Sequence, residues 1–243
     1  MPDDADRKVA LVTGANKGIG YEIARQLAGL GFTVIVGARD KQRGQVAARQ
    51  LLEEGLDAEF LRLDVTDEGS IDNAAHAIDQ WHGALDVLVN NAAIAEDDGP
   101  PSQLDLAVFR RTYDTNVFGV FAVTKAMLPL LGRSPAGRIV NMSSGSGSLT
   151  LTSRPDWRPE WNTLAYNSSK SAVNAMTVHF ATELMTTSIK VNAVNPGYVA
   201  TDLNQHRGDR TVQQGAAVAV RLATVADDGP TGGFFNEDGI VPW

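Results

Sequence analysis

The sequence predicts an α/β protein with one doubly wound, mostly parallel sheet of about seven strands and helices on both faces. Short apolar runs, many of them β-branched, alternate with helical patterns along the whole chain of 243 residues. Such runs are typical of strands buried on both faces of a parallel sheet. Neither a repeat nor a linker divides the sequence, so we expect a single domain over residues 1–243.

The elements follow one another as strand and helix. Seven apolar runs predict strands at 9–14, 32–37, 58–65, 85–91, 137–144, 189–197 and 233–235. Apolar residues at helical spacing predict helices after these strands. The first helix carries Ile19, Ile23, Leu27 and Leu30, and a second is expected at about 40–54. The third carries Ile71, Ala74, Ala75, Ile78 and Trp81, and two helical segments follow within 103–132. A long helix then carries Val173, Met176, Phe180 and Leu184, and a last helix lies near 211–223.

The composition excludes several classes of function. A net charge of −8 argues against general binding to nucleic acid or to anionic membranes. The chain has no cysteine, and its four histidines show no ligand spacing, so we expect no disulfide, no thiolate nucleophile and no metal site. An acidic N-terminus and the lack of an apolar run of about 18 residues predict a cytoplasmic protein.

Ligands of doubly wound sheets bind outside the carboxyl ends of the strands, so the residues that close each strand are the candidates for binding a ligand. The first strand is followed by TGANKGIG, which contains Gly14, Gly18 and Gly20. Glycines here allow a sharp turn and close approach of a diphosphate, and the next helix offers free N–H groups and a positive dipole end. A dinucleotide site of the Rossmann type is therefore the favoured interpretation over a plain tight turn.

The ends of strands two and three suggest how that dinucleotide is recognised. Arg39 follows the second strand, where an acid would favour NAD, and Lys17 in the glycine loop could reach the same place. Two basic residues suit a 2′-phosphate and favour NADP(H); the alternative is a solvated Arg39 beside a capping Asp40. Asp64 could accept a hydrogen bond from adenine, with Val65 against the ring. The alternative role for Asp64 is a helix cap, although Asp67 is the better candidate for that cap.

Strands four and five end in residues that could carry chemistry. NNAA at 90–93 includes Asn90 and Asn91, either of which could brace the sheet edge and the ribose or simply form a turn. Strand five closes with Ser143 and Ser144, and 22 positions after Ser144 come Tyr166 and Lys170 in YNSSK. Their i, i+4 spacing places the phenol and the ammonium on one helix face. A nearby cation should lower the tyrosine pKa into the range of an acid or base near neutral pH.

TGANKGIG, NNAA, NMSS, YNSSK and NPGYVATDL, in this order, resemble the short-chain dehydrogenase/reductase family from Val9 to about Leu203. VALVTGANKGIG, ARDKQRGQ, LDVLVNNAAIA and the tail GPTGGFF are similar to its NADPH-dependent carbonyl reductase branch. The resemblance implies a catalytic tetrad of Asn116, Ser144, Tyr166 and Lys170. Ser144 would orient the substrate carbonyl and Tyr166 would donate the proton. Lys170 would lower the Tyr166 pKa and bind the ribose, and Asn116 would hold a water that links Lys170 to solvent.

The resemblance and the strand ends together define the expected sites. Pro196, Gly197, Val199 and Thr201 would flank the nicotinamide end. The full cofactor set is Gly14, Asn16, Lys17, Gly18, Ile19, Gly20, Arg39, Asp64, Val65, Asn91, Ala92, Ala93, Tyr166, Lys170, Pro196, Gly197, Val199 and Thr201. The expected substrate contacts are Ser144, Leu149, Trp157, Tyr198 and Leu203, in loops at about 94–102, 145–162 and 198–210.

Two features depart from the family pattern. Ala93 stands where the family usually has glycine, and the gap from Ser144 to Tyr166 is longer than the usual gap of about a dozen residues. The extra loop carries Trp157 and Trp161, which could wall a pocket or cover a helix or a subunit contact. Because the loop could also cover the family's dimer face near 115–132 and 165–185, homodimer, tetramer and monomer all stay open.

The sequence favours NADPH-dependent reduction of a ketone or aldehyde to an alcohol. NADP-linked oxidation of a secondary alcohol is the same chemistry in reverse, and the sequence does not set the direction. A non-catalytic dinucleotide-binding regulator is the alternative from another class, since fold alone does not fix function. Such regulators commonly lack the tyrosine or the lysine, and here both are present. The expected partner is thus a small carbonyl or alcohol substrate.

Overall fold

The computed structural model describes residues 7–97, 99–157 and 162–243. Its strands form one eight-stranded sheet in the order β3-β2-β1-β4-β5-β6-β7-β8. All neighbouring strands pair in parallel except β7 and β8, which are antiparallel. The predicted doubly wound, mostly parallel sheet is therefore confirmed, with one more strand than the sequence indicates.

The strands are short, and half of them are buried at every residue. Their bounds are β1 Val9–Thr13, β2 Thr33–Ala38, β3 Ala58–Arg62, β4 Val87–Asn90, β5 Arg138–Met142, β6 Lys190–Val194, β7 Phe234–Asn236 and β8 Gly239–Ile240. Most end a few residues earlier than their apolar runs suggest, so that Asp64, Asn91 and Ser144 lie just beyond the sheet. Strand β8 is missed because it is only two residues long and follows a turn at Asp238.

The helices lie between the strands in the predicted order. Their bounds are α1 Gly18–Gly29, α2 Lys41–Glu53, α3 Glu68–His82, α4 Leu106–Tyr113, α5 Gly119–Leu131, α6 Leu149–Thr152, α7 Leu164–Glu183 and α8 Val212–Ala223. A π-helical turn, Asp114–Phe118, joins α4 to α5. Asp40 caps α2 and Asp67 caps α3 through their carboxylates, as their positions before the helices indicate.

The core consists of two apolar layers, one on each face of the sheet. Val12 and Val36 point to one layer with the buried faces of α1, α2 and α8, while Leu11 and Ile35 point to the other with α3, α5 and α7. This alternation is the pleat of strands covered on both sides. Leu30 and Trp81, predicted on buried helix faces, lie instead at helix ends with 60% and 49% of their surface exposed.

The described helices include none that is both long enough and apolar enough to cross a membrane. Within the same residues, no group of three or more His, Cys, Asp or Glu side chains is arranged to hold a metal ion.

Candidate active site

A cavity of about 770 Å³ opens at the carboxyl ends of the strands. Its walls come from the segments after β1 to β5, from α7 and from residues 196–212. This is the position that doubly wound sheets use for ligands. The predicted cofactor residues that line it are Gly14, Asn16, Lys17, Gly18, Ile19, Gly20, Arg39, Asp64, Val65, Asn91, Ala92, Ala93, Tyr166, Lys170, Pro196 and Thr201.

The glycine loop is held against the end of β4. Gly14 and Gly18 have φ values of 64° and 60°, in the left-handed region that favours glycine. A Cβ on Gly20 would lie 2.3 Å from Nδ2 of Asn91. Because residue 20 is glycine, that amide nitrogen has room to donate to the Thr13 carbonyl oxygen at 2.8 Å. Asn91 thus braces the loop, while the N-terminus of α1, with no side-chain cap at Lys17, faces the cavity.

Two of the basic residues at the far end of the cavity differ in their partners. Arg39 is exposed and lines the cavity, and no hydrogen bond or ion pair engages its guanidinium within the described chain. Lys17 Nζ lies 2.6 Å from Oδ2 of Asp202, whose Oδ1 also contacts His206 Nε2 at 2.9 Å. Lys17 foremost, and His206, hold the pKa of Asp202 below its usual range. The charge of Lys17 is therefore already balanced by the Asp202 carboxylate across the mouth of the cavity.

Asp64 forms hydrogen bonds within the loop after β3 and also lines the cavity. Its Oδ1 accepts hydrogen bonds from the backbone N and the hydroxyl of Thr66 at 3.0 and 2.8 Å. Both Asp64 and Val65 line the cavity. Gly119 at the start of α5 packs so close to Val65 that a Cβ there would lie 2.9 Å from it. The position of Val65 is thus fixed by a glycine more than 50 residues away in the sequence.

The side chains of Tyr166 and Ser144 lie beside each other at the cavity, and the serine hydroxyl affects the ionisation of the phenol. Burial raises the pKa of Tyr166 to about 12; the Ser144 hydroxyl opposes this rise and the charge of Asp97 adds to it. This direction is opposite to the lowered pKa that the sequence predicts. The reason is that Tyr166 is partly buried at the cavity wall, and desolvation of a phenolate outweighs the other influences.

Lys170 lies one turn along α7 from Tyr166, as predicted. Its Nζ is 5.6 Å from the centre of the Tyr166 ring and donates to the Met142 carbonyl oxygen at 2.7 Å. Burial lowers the pKa of Lys170 to about 8. Because the charged amine has one acceptor among the described residues, it keeps donor capacity for a hydroxyl that enters the cavity.

The serine- and glycine-rich run after β5 is shaped by packing against α7. A Cβ on Gly147 would lie 2.8 Å from the backbone carbon of Lys170, so only glycine fits. The Gly147 carbonyl oxygen accepts from Ser171 Oγ at 3.0 Å and from Asn174 Nδ2 at 3.1 Å. Ser143 Oγ donates to Asn174 Oδ1 at 2.6 Å. The run thus seats the end of β5, and with it Ser144, on the helix that carries Tyr166.

Asn116 is fully buried in the π-helical turn and joins three segments. Its Oδ1 accepts from Ile94 N at 2.9 Å, and its Nδ2 donates to Ile94 O at 2.9 Å and to Ser169 Oγ at 3.1 Å. Ser169 Oγ in turn donates to the Tyr166 carbonyl oxygen at 2.7 Å. The Asn116 side chain therefore positions the cavity wall and the turn of α7 that carries Tyr166, and within the described residues it forms no hydrogen bond with Lys170.

The segment after β6 contributes unevenly to the cavity. Pro196 and Thr201 line it, whereas Val199 is 4% exposed and packs against Gly215. Gly197, with a φ of 80°, lies under the Arg210 side chain, whose Cδ would be 2.5 Å from a Cβ on that glycine. Gly197 and Val199 thus shape the segment from behind, and neither is part of the cavity wall.

The predicted substrate residues divide into three groups. Leu203 lines the cavity, whereas Ser144 is not part of its wall and lies beside Tyr166, which is. Among the described residues, Leu149, Trp157 and Tyr198 do not line it; Leu149 is 69% exposed on α6. Trp161 lies outside the described residues. Helix α6 is held from the opposite side, since Thr150 N donates to the Trp243 backbone oxygen at 3.0 Å.

Several wall residues lie in segments that the sequence predicts for the site but were not singled out there. Ile94 and Glu96 fall in the predicted loop 94–102, and Met142 and Ser143 precede Ser144 at the end of β5. Asp202 and His206 fall in the predicted loop 198–210, and their pairing across the cavity depends on how the segment after β6 folds back over the glycine loop.

Comparisons with known proteins agree with this geometry. The family model for short chain dehydrogenase matches residues 8–211. The (-)-isopiperitenone reductase of Mentha piperita is 33% identical over 96% of this chain and 97% of its own length. Carbonyl reductase (NADPH) 1 of Mus musculus is 34% identical over 98% of this chain and 99% of its own. The crystal structure of NADPH-bound carbonyl reductase from chicken fatty liver superposes with a TM-score of 0.86 at 28% identity, covering 98% of this chain and 99% of that one.

Proposed function

The chain belongs to the short-chain dehydrogenase family of oxidoreductases, and we propose that it reduces ketone or aldehyde carbonyls to alcohols with NADPH. The observation that carries the proposal is the meeting of Ser144, Tyr166 and Lys170 at the inner end of a cavity that begins at the glycine loop. The names of the peppermint and mouse relatives, a reductase and an NADPH carbonyl reductase, support the same reaction class.

The cavity fits a dinucleotide phosphate by its own chemistry. Gly14, Gly18 and Gly20 form a cradle in which side chains would meet neighbouring atoms or require a strained backbone. The backbone N–H groups of the α1 N-terminus suit a diphosphate. At the outer end Arg39 offers an unpaired guanidinium, the group best matched to a 2′-phosphate. When bound, NADPH would supply the hydride for the substrate carbon.

Tyr166 is suited to be the proton donor in this reaction. A pKa of about 12 keeps its phenol protonated at neutral pH. A carbonyl oxygen bound beside Ser144 and Tyr166 would accept hydrogen bonds from both hydroxyls and would take the Tyr166 proton as negative charge develops on it. The buried Lys170 ammonium then stabilises the tyrosinate left behind, because opposite charges attract strongly in a low-dielectric site.

Substitution of Tyr166 by phenylalanine tests the proposed acid. We expect NADPH oxidation with activated ketones to fall by about 100- to 10,000-fold in kcat/KM, the usual contribution of a general acid. NADPH binding, followed by fluorescence, should stay within a few-fold of the wild-type value. The phenol is lost while the backbone N–H of residue 166 stays in place.

Tyr113→Phe is the matched control. It also loses one phenolic hydroxyl, but Tyr113 stacks on Phe109 at the end of α4 and is not part of the cavity wall. We expect its rate to match the wild type. Equal rates for Tyr166→Phe and the wild type would refute the proposed role, and NADPH that fails to bind the wild type would refute the cofactor.

A further inference from the structure

The N-terminus of α7, which carries Tyr166 and Lys170, is capped from a distant part of the chain. Asp97 lies in the loop after β4, partly buried. Its Oδ2 accepts from Ala165 N at 2.7 Å, and Tyr166 N donates to its Oδ1 and Oδ2 at 3.3 and 3.4 Å. These are the second and third N–H groups of the helix, the ones that an N-cap side chain normally satisfies.

The residue at the N-cap position of α7 does not accept these N–H groups with its side chain. Thr163 stands there, and its hydroxyl donates to Asn167 Oδ1 at 3.1 Å. Its side chain makes no capping bond, and the first turn of α7 contains no acidic residue. Asp97 therefore supplies to this helix both the acceptor and the negative charge that favour an N-terminus.

The same carboxylate lies close enough to Tyr166 to affect its ionisation. Its charge adds to the effect of burial in raising the pKa of that phenol. The other charged group beside the ring is Lys170, on α7 itself, and Ser144 faces the hydroxyl from the end of β5. Glu96, also in the loop after β4, is ion-paired with Arg111.

We propose that Asp97 is a positioning residue of the active site, which holds the first turn of α7 in place and sets a negative charge beside Tyr166. This inference depends on the proposed role of Tyr166 as the proton donor. The charge disfavours the phenolate and so keeps Tyr166 in the protonated form, which is the form that carbonyl reduction consumes. The loop that forms a wall of the cavity and the helix that carries the acid are thereby tied together.

Two substitutions separate the cap from the charge. Asparagine keeps one side-chain oxygen that can accept from Ala165 N, so Asp97→Asn should lower the melting temperature less than Asp97→Ala does. It removes the charge, and so the pKa of Tyr166 should fall. Asp97→Ala removes both, and we expect a melting temperature about 2–4 °C lower.

The readouts follow from the sign of the charge effect. Reduction needs protonated Tyr166 and declines as pH rises through its pKa, so in Asp97→Asn the alkaline decline should move to lower pH. Oxidation of the product alcohol needs the phenolate, and its rise should move the same way. In the cofactor-free protein, the Cζ resonance of ¹³C-labelled Tyr166, assigned with Tyr166→Phe, should titrate at lower pH in Asp97→Asn.

Asp105→Asn is the matched control, because Asp105 caps α4 through Ala107 N in the same manner and is not among the groups that shift Tyr166. It should leave both profiles unchanged. Titration and pH–rate profiles of Asp97→Asn that coincide with the wild type, or that move to higher pH, would overturn the inference. If the wild type reduces no carbonyl, the proposed function fails, while the resonance titration and the melting temperatures still test Asp97.

Discussion

Arg39 and Lys17 are two cations in the wall of one cavity. Their neighbours leave them with different capacities to bind an added anion. Lys17 is paired with Asp202, whereas Arg39 has no such partner within the described residues. An exposed ion pair is weak, about 0–1 kcal/mol, but it lowers what a second anion gains from the same ammonium. Arg39 therefore bears most of any discrimination in favour of a 2′-phosphate.

The cofactor preference should follow this difference. For Arg39→Asp we expect kcat/KM for NADPH to fall by roughly 10- to 100-fold, the value of a charge-assisted hydrogen bond, with little loss for NADH. For Lys17→Ala the loss should be less than about five-fold. Steady-state kinetics with both cofactors measure the two ratios. Equal losses for NADPH and NADH in Arg39→Asp would contradict a phosphate contact.

Single residues also show where sequence reasoning stops. The spacing of Tyr166 and Lys170 and the serines at the end of β5 are visible in the chain, and the structure brings these side chains together. The direction of the Tyr166 pKa was wrong, because a sequence shows which charges are near along a helix but not how much water is removed. Nor does any local pattern reveal that Asp97 caps a helix 68 positions later.

At the scale of elements, the site depends on places where backbones come unusually close. The turn at Gly145–Gly147 lies directly on α7, and the π-helical turn presents Asn116 to Ile94 and Ser169. π-Helical turns often occur at functional sites because they change the direction of one or two side chains within a helix. Here that change ties the loop after β4 to the catalytic helix.

Alanine at Gly147 should separate the turn from α7. The new methyl group would meet the Lys170 backbone, and overpacking of this kind costs about 1–3 kcal/mol. We expect a lower melting temperature, by about 2–4 °C per kcal/mol, and a lower kcat/KM because Lys170 moves. Gly145→Ala is the matched control, since its Cβ would meet only the Asn195 amide at 3.2 Å. Similar stability for both variants would show that the contact is not tight.

The strands and long helices are predictable because each has a periodic apolar pattern, and their order in the chain implies parallel pairing. Helix α6, strand β8 and the π-helical turn are not predictable in this way, since each is five residues or shorter. What stabilises them is contact with distant segments, such as the bond from Thr150 to Trp243.

At the scale of the whole molecule, apolar side chains remain exposed on α5 and α7. Phe118 at the end of the π-helical turn and Phe121 in α5 expose 59% and 48% of their surface, and Leu164 and Val178 on α7 expose 39% and 38%. Exposed apolar groups of this size often mark a protein–protein contact. They lie on the two helices that the family resemblance implies for a dimer.

We therefore predict self-association through this face. Phe121→Glu should raise the dimer dissociation constant by at least about 100-fold, because a two-fold interface would bury two unpaired carboxylates. Leu30→Glu, at an apolar residue that is more exposed than Phe121 and lies at the end of α1, should leave it unchanged. Sedimentation equilibrium measures both. A wild-type protein that is monomeric at high concentration would rule the prediction out.

The cavity takes wall residues from positions as far apart as Gly14 and Val212. On a ribosome, the glycine turn emerges early, yet β1 waits for β4 before its second edge is paired, and the last wall appears after six strands have been made. A nucleotide that needs the complete wall therefore binds only after most of the chain has been made. It then stabilises the folded protein through mass action on the folded state.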